Sequence, residues 1–185
     1  MRITRILRRL TTVLVVAGTA VGCSKEVPSA APRLPERSCF GVFTRQDLAP
    51  LVGKGTEVHE DGPVDMRLTA ERRGATCVVD VDGEGRFDAS VTRQALNESF
   101  FWNAQLIQPR ADPLTLGDKG IVYDTGARVA LTCTSPGGDS FQLEVTVGGS
   151  TEQMEKREAR PLFRVLIAKL LAAAKRQTRC GSDAP

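Results

Sequence analysis

The sequence predicts an α+β fold in which an antiparallel sheet is packed by a short N-terminal helix and a long C-terminal helix and is braced by two disulfides. Three observations lead to this prediction. Apolar and polar residues alternate over the middle of the chain, a helical apolar stripe occupies residues 158–179, and four cysteines are spread over the same region. With 185 residues, 41% of them hydrophobic, the chain is sufficient for one domain with a real core.

The first 23 residues have the pattern of an export signal. Residues 1–9 contain four arginines, the apolar run of residues 10–21 follows, and the run ends at Gly22 and Cys23. The run is shorter than the roughly 20 residues that a membrane-spanning helix needs. It resembles a bacterial lipobox, in which cleavage between Gly22 and Cys23 exposes a cysteine whose thiol carries long acyl chains such as palmitate. We therefore expect Cys23 to anchor the protein on the extracytoplasmic face of the cell membrane, the alternatives being an ordinary secretory signal or an uncleaved anchor.

Composition excludes a nucleic-acid partner for the rest of the chain. The formal charge of +3 depends on the arginines of the signal peptide, since residues 23–185 hold 21 basic and 22 acidic residues. A chain so balanced has no electrostatic footprint for nucleic acid. Residues 24–37 contain three prolines and predict an extended tether, which leaves residues 38–185 as a single globular domain.

Four cysteines remain once Cys23 is assigned to lipid. An even number in an exported protein predicts disulfides, and four cysteines allow three connectivities. We favour Cys39–Cys77, which ties the start of the domain to an early strand, and Cys133–Cys180, which ties a central strand to the last helix. A metal site is disfavoured because no CxxC or HxxxH spacing occurs and the chain has one histidine. We expect no metal and no cofactor.

The first half of the domain shows one helix signal and one early strand signal. Thr44 and Asp47 have the spacing of a capping box, and Pro50 is expected to kink or shorten the helix that follows. Apolar residues alternate over residues 64–68 and predict a strand. His59 is expected to lie in a turn just before that strand.

The second half predicts antiparallel hairpins and a terminal helix. Alternating segments flank turns rich in Gly, Asp and Pro, which lie at residues 82–85, 124–126 and 135–139. The clean alternation predicts a sheet with one face on the core and one face in water. A stripe with i, i+3, i+4, i+7 spacing then predicts a core-facing helix over residues 158–179.

Several of these features occur together in a known family. A lipobox, a Pro-rich tether, a short helix opened by a cysteine (Cys39 to Gly53), a strand cysteine (Cys77) and the loop Leu116-Gly117-Asp118-Lys119-Gly120 form one set. In this the chain resembles small actinobacterial cell-surface lipoproteins with a domain of unknown function, which are similar in layout to the extracellular sensor domain of actinobacterial Ser/Thr kinases. The family usually has Leu-Gly-Asp-x-Ala where this chain has Gly120. The resemblance covers residues 38–180 and implies a Mog1/PsbP-like fold without an established activity.

Three short motifs suggest more specific chemistry. Asp124-Thr125-Gly126-Ala127 resembles the loop of retroviral-type aspartic proteases, but one copy lacks the second carboxylate and suits a hairpin turn equally well. The acids over residues 80–84 lack the rest of a calcium loop. The aromatic run Phe100-Phe101-Trp102 is expected to pack mainly in the core, but it cannot turn all three rings to one core, so a binding surface is the alternative.

Taken together, these observations favour a non-enzymatic, lipid-anchored binding or interaction module of the cell envelope, whose partner is an unidentified envelope protein or a small ligand. The alternative is an envelope hydrolase with a non-contiguous carboxylate site, for which Asp118 and Asp124 are the first candidates. A third reading is an accessory subunit of an envelope complex.

Overall fold

The computed structural model describes residues 27–69, 71–96, 110–134, 138–152 and 154–180. The predicted signal peptide, the cleavage site at Gly22 and Cys23, and the aromatic run Phe100-Phe101-Trp102 lie outside the described residues.

The described part of the chain contains strands in a large and a small sheet, and two α-helices. In chain order these are β1 Arg37–Ser38, β2 Phe43–Thr44, α1 Arg45–Val52, β3 Val58–Asp61, β4 Gly74–Val81, β5 Glu84–Gln94, β6 Asp112–Pro113, β7 Lys119–Tyr123, β8 Gly126–Thr134, β9 Ser140–Gly149 and α2 Lys156–Thr178. A short 3₁₀ turn, Ala31–Arg33, precedes them.

Seven strands form one antiparallel sheet in the order β3-β4-β5-β9-β8-β7-β6. Two meanders, β3 to β5 and β6 to β9, meet where β5 pairs with β9. The remaining strands, β1 and β2, form a separate hairpin. The predicted α+β class, with an antiparallel sheet and a C-terminal helix, is confirmed.

Two of the predicted hairpin turns form as expected. Asp82 and Gly83 connect β4 to β5 with φ values of 52° and 81°, and two positive φ values are what a type I′ turn requires. Asp124 and Thr125 connect β7 to β8. These tight turns fix the register of both hairpins, so that apolar side chains of neighbouring strands share one face.

The strand predicted over residues 64–68 is wrong. Met66 is buried, but its N–H donates to the Gln177 side chain of α2 at 2.8 Å instead of to a neighbouring strand. The edge strand forms earlier, at β3, which pairs with β4. His59 therefore lies in an edge strand and not in the predicted turn. Alternation predicted a buried face here but could not show which groups would satisfy the backbone.

Helix α1 starts at Arg45, directly after the N-cap that the sequence predicted at Thr44. Its capping box is present, because the Asp47 N–H donates to Thr44 Oγ1 at 3.3 Å and the Thr44 N–H donates to Asp47 Oδ2 at 2.8 Å. Pro50 is accommodated within the helix. Cys39, expected to open the helix, instead starts the turn between β1 and β2, where residues 39–41 all have positive φ.

Helix α2 covers the core face of the sheet, and its start and end lie within two residues of the prediction. It packs against β7, β8 and β9. The fully buried residues of its apolar stripe are Ala159, Phe163, Leu166, Ile167, Leu170 and Ala174. No helix among the described residues is long and apolar enough to cross a membrane.

Two disulfides attach peripheral segments to this core, in the pairing favoured from the sequence. Cys39–Cys77 joins the β1–β2 turn to β4, and Cys133–Cys180 joins β8 to the end of α2. The cysteines are 38 and 47 residues apart, so the chain-entropy model assigns about 4 kcal/mol of stabilisation to each bond.

The segment predicted to be a tether is partly docked on the domain. Ala30 and Leu34 are buried in the core, and the Ala30 N–H donates to the Gly53 carbonyl at 2.9 Å. The prolines suggested a spacer, but two apolar side chains four residues apart find a hydrophobic site beside α1. Only four residues lie between Cys23 and Pro28, where docking begins, and this stretch spans at most about 18 Å.

Candidate ligand-binding site

The face of the sheet opposite the helices carries a polar cavity. It has a volume of about 500 Å³, within the range of small-molecule sites, and lies where the start of β5, the end of β9 and the β7–β8 turn come together. Its polar lining includes Arg86, Asp88, Tyr123, Thr125, Arg128 and Thr146. The alternation that buries one face of each strand places these side chains on the other.

Two paired glycines lie between the polar side chains of this face: Gly148, which lines the cavity, and Gly126 beside it. Asp88 of β5 pairs with Gly148 of β9, Gly148 pairs with Gly126 of β8, and Gly126 pairs with Tyr123 of β7. A Cβ on Gly148 would lie 2.5 Å from Asp88 Oδ1, and a Cβ on Gly126 would lie 3.0 Å from the Tyr123 hydroxyl oxygen. Asp88 and Tyr123 therefore lie over bare backbone and approach each other from opposite sides. The absence of a side chain on Gly148 leaves room for the Asp88 carboxyl at the cavity.

Arg128 is held at the edge of the cavity by a buried carboxylate. Its Nε lies 3.2 Å from Glu144 Oε1, and Gln94 Nε2 donates to Glu144 Oε2 at 3.0 Å. Glu144 is only 6% exposed and does not itself line the cavity. It positions the guanidinium, whose side chain remains 27% exposed. A buried carboxylate with a cation and an amide as partners is the expected way to offset its desolvation.

Three groups of this face titrate away from their ordinary values. Burial raises the pKa of the Asp88 carboxyl, and the Arg128 charge offsets only part of the shift. Burial also raises the pKa of Glu144, against the opposing effects of Arg128 and Gln94. The pKa of the Tyr123 hydroxyl is raised, again chiefly by burial. Holding these polar groups in a half-buried position therefore lowers the stability of the folded protein, which is common at binding sites.

Asp88 and Tyr123 are the groups available to a ligand. Neither the Asp88 carboxyl nor the Tyr123 hydroxyl has a hydrogen-bond partner among the described residues, although both are half-buried. Arg128 adds N–H donors at the same cavity. An acceptor, a hydroxyl and a guanidinium around the paired glycines can hold a small polar molecule by several hydrogen bonds at once.

The carboxylates predicted for a hydrolase are not brought together. Asp118 precedes β7 and accepts the Thr132 N–H at 2.6 Å, whereas Asp124 follows β7 and pairs with Arg160 at 2.7 Å. The five residues of β7 lie between the two acids and separate them by about 20 Å of extended chain. Each has a structural role, in a loop and in a turn. Asp118 and Asp124 are therefore not positioned to flank one bond of a shared substrate.

The other sequence candidates are also accounted for by local structure. Asp82, in the calcium-like motif, accepts hydrogen bonds from the Thr56 hydroxyl and from the Thr56 and Glu57 amides, which fix the loop before β3. Within the described ranges, one group of potential metal ligands clusters within 4.8 Å, formed by Cys39, Glu60 and Cys77. Its two sulfurs are joined as a disulfide, and Glu60 accepts the Cys39 N–H at 2.9 Å.

The sequence candidates did not include Asp88, Arg128 or Glu144. The strands that carry them show only an alternation of apolar and polar residues, which predicts a solvent-exposed face but no particular site on it. The available signal was glycine inside strands, at Gly126 and Gly148, because such glycines mark places where another group approaches the backbone closely.

Comparison with known proteins adds no relative to this description. No family model, no curated protein and no solved structure matches the chain.

Proposed function

We propose that this chain is an exported, lipid-anchored protein of the cell envelope whose domain binds a small, hydroxyl-rich ligand in the polar cavity of the sheet. The observation that carries the binding role is the Asp88 carboxyl and Tyr123 hydroxyl, which lie over glycine backbone without hydrogen-bond partners among the described residues. The lipobox ending at Cys23 supports export and anchoring. The two disulfides suit an oxidising compartment.

A neutral ligand of about the size of a monosaccharide fits the chemistry of the cavity. Asp88 and Arg128 offer adjacent acceptor and donor groups for neighbouring hydroxyls, and Thr125 and Thr146 add further hydroxyl partners. The Tyr123 ring supplies an apolar surface for the C–H face of a sugar. The opposite charges of Asp88 and Arg128 disfavour a ligand with a single strong charge.

Binding is favoured over hydrolysis by the number of carboxylates at the cavity. The one carboxylate among its lining residues is Asp88, whereas Glu144 lies outside the lining and is bound by Arg128 and Gln94. Acid–base hydrolysis of a glycoside uses two carboxylates that flank the scissile bond. The described residues place a single carboxylate within reach of a ligand.

The family resemblance bears on the fold, since it implies no established activity. We propose the Mog1/PsbP-like arrangement that it implies. The antiparallel sheet, the two helices and the two disulfides support this arrangement.

Anchoring is tested by fractionation of cells that produce the wild-type chain or Cys23→Ala. We expect the wild type in the membrane fraction and Cys23→Ala in the soluble fraction, because two or more acyl chains give durable membrane binding. Retention of Cys23→Ala in membranes would contradict the anchor. Intact mass of the wild type should show an amino terminus at Cys23 with acyl chains attached.

Ligand binding is tested by thermal unfolding of the full chain with glucose, galactose, mannose or N-acetylglucosamine. We expect at least one sugar to raise Tm in a saturable way, because a ligand of the native state stabilises it. Asp88→Asn should lose this shift, whereas Glu57→Gln, which removes one exposed negative charge elsewhere, should keep it. Stabilisation by L-arginine or L-glutamate alone, with no response to sugars, would overturn the neutral-ligand proposal.

A further inference from the structure

A second cavity lies on the opposite side of the sheet, between the β1–β2 hairpin and the C-terminal half of α2. Its volume is about 480 Å³. The residues that line it are Arg37, Phe40, Gly41, Val42, Thr44, Lys169, Ala172, Ala173, Arg176 and Gln177. We call it the hairpin pocket. It shares no residue with the polar cavity on the outward face.

The charged side chains that line the hairpin pocket are all positive. Three of its lining residues are cationic and none is acidic. Lys169 is balanced by Asp47, whose Oδ1 lies 2.6 Å from the ammonium. Arg37 and Arg176 have no acidic partner among the described residues. Two guanidinium groups at one cavity raise its potential, and an anion would relieve their repulsion.

The hairpin that carries Arg37 is rigidly held. Residues 39–41 have positive φ, a conformation that costs energy for Cys39 and Phe40. The Cys39–Cys77 disulfide and the hydrogen bond from the Cys39 N–H to Glu60 hold the turn in place. Arg176 projects from a long helix that is itself fixed by the second disulfide. The two arginines therefore come from elements with a defined separation.

Part of the lining of the hairpin pocket is apolar. Phe40 is 6% exposed, and Val42, Ala172 and Ala173 add apolar side chains to the same cavity as the cations. Gln177 contributes an amide, with its Oε1 already accepting the Met66 N–H at 2.8 Å. Guanidinium groups beside apolar side chains suit an anion attached to an apolar or weakly polar group, and arginine matches the oxygens of phosphate in a bidentate manner.

We propose that the hairpin pocket binds a phosphate group, with Arg37 and Arg176 pairing its oxygens and the apolar side chains around Phe40 contacting the moiety that carries it. The same chemistry is offered by a free phosphate ester and by the headgroup of an anionic phospholipid. The site does not depend on the polar cavity or on its ligand.

The test is a titration of the ¹⁵N-labelled full chain in neutral-detergent micelles, followed by amide shifts. Inorganic phosphate is added at constant ionic strength against sodium chloride, and in separate samples the micelles are doped with phosphatidylglycerol or phosphatidylcholine. We expect saturable shifts at Gly41 and Ala172. If inorganic phosphate causes the shifts and phosphatidylglycerol has no added effect, the ligand is a free phosphate. If phosphatidylglycerol causes larger shifts than phosphatidylcholine, the ligand is a phospholipid headgroup.

Matched variants separate this site from general attraction to a basic protein. Arg37→Gln with Arg176→Gln should weaken binding about tenfold or more, because it removes both charged donors. Arg157→Gln with Arg164→Gln makes the same charge change at exposed positions of α2, about 28 Å and 18 Å along the helix from Arg176. Those substitutions should leave binding unchanged. Equal weakening by both pairs, or no saturable shift with any probe, would overturn the proposal.

Discussion

The two faces of the seven-stranded sheet differ in what they contribute. On the core face, apolar side chains of every long strand are buried beneath the helices, and both disulfides fasten peripheral segments to it. On the outward face, Asp88, Tyr123 and Arg128 are half-buried and polar, and glycines replace the side chains between them. The comparison indicates that stability is concentrated on one face, which allows the other to hold groups that reduce stability and can serve binding.

The largest effect should come from removing a disulfide of the core face. Cys133→Ala with Cys180→Ala should lower the free energy of unfolding by about 4 kcal/mol, because the unfolded chain gains the entropy of an open loop. Equilibrium unfolding in urea measures the loss. Thr132→Ala with Thr134→Ala changes the exposed neighbours of Cys133 and should cost less than about 1 kcal/mol. Similar losses of stability for the cysteine and threonine double variants would contradict the difference between the two faces.

Adjacent residues of β9 test the same contrast without cysteines. Val145 is fully buried on the core face and Thr146 lines the polar cavity on the other. Val145→Ala should destabilise by about 2 kcal/mol through lost burial and a residual cavity, whereas Thr146→Ala should cost under about 1 kcal/mol. Urea unfolding of the two variants decides the matter. A larger loss of stability for Thr146→Ala than for Val145→Ala would show that the outward face contributes more to stability than the core face, which would contradict the comparison.

The paired glycines predict a specific coupling. Gly148→Ala places a methyl group 2.5 Å from Asp88 Oδ1, so the carboxyl must move, and we expect a loss of about 1 to 2 kcal/mol. In an Asp88→Ala background most of this cost should disappear. The double-mutant cycle, measured by urea unfolding, reports the coupling directly. Additive losses would show that Asp88 does not lie over Gly148.

The smallest effects should be opposite pH dependences of two aspartates. Burial raises the pKa of Asp88, so its ionisation weakens the fold as pH rises from the unfolded value near 3.8 through the folded value. Asp88→Asn should therefore raise Tm by about 2 °C at pH 7, and the gain should vanish near pH 3. Sugar-free thermal scans at both pH values measure it. A lower Tm at pH 7 would contradict the sign.

Asp47, on the helix side, should behave in the opposite way. Burial alone would raise its pKa, but hydrogen bonds from Lys169 and Thr44 outweigh burial and hold the pKa below 3.8. Its contribution is complete above that value and is lost as pH falls through the folded pKa. Asp47→Asn should destabilise at pH 7 by about 1 kcal/mol, the usual cost of a lost cap, and by less at lower pH. A loss of stability that did not change with pH would show that the charge of Asp47 does not stabilise the fold.

The elements that could be predicted from sequence are those specified by local chemistry. The Asp82-Gly83 turn, the capping box at Thr44 and the stripe of α2 each depend on a few neighbouring residues. The docking of Ala30 and Leu34 and the irregular course around Met66 depend on contacts with distant parts of the chain. Local patterns do not contain that information.

The candidate site was hidden for a related reason. Alternation shows that Asp88 and Arg128 share the outward face, but only the pairing of β5 with β9 and of β9 with β8 brings them to one cavity. That strand order reverses the order of the chain and cannot be obtained from local sequence. The glycines of β8 and β9 were the available local indication.

The most direct test of the central claim is to map sugar binding on the ¹⁵N-labelled full chain by amide shifts, using the sugar that raises Tm most. The account predicts saturable shifts at Asp88, Arg128 and Gly148 on the outward face, and loss of those shifts in Asp88→Asn. If the shifts lie elsewhere, or if Asp88→Asn binds as well as the wild type, the polar cavity is not the ligand site.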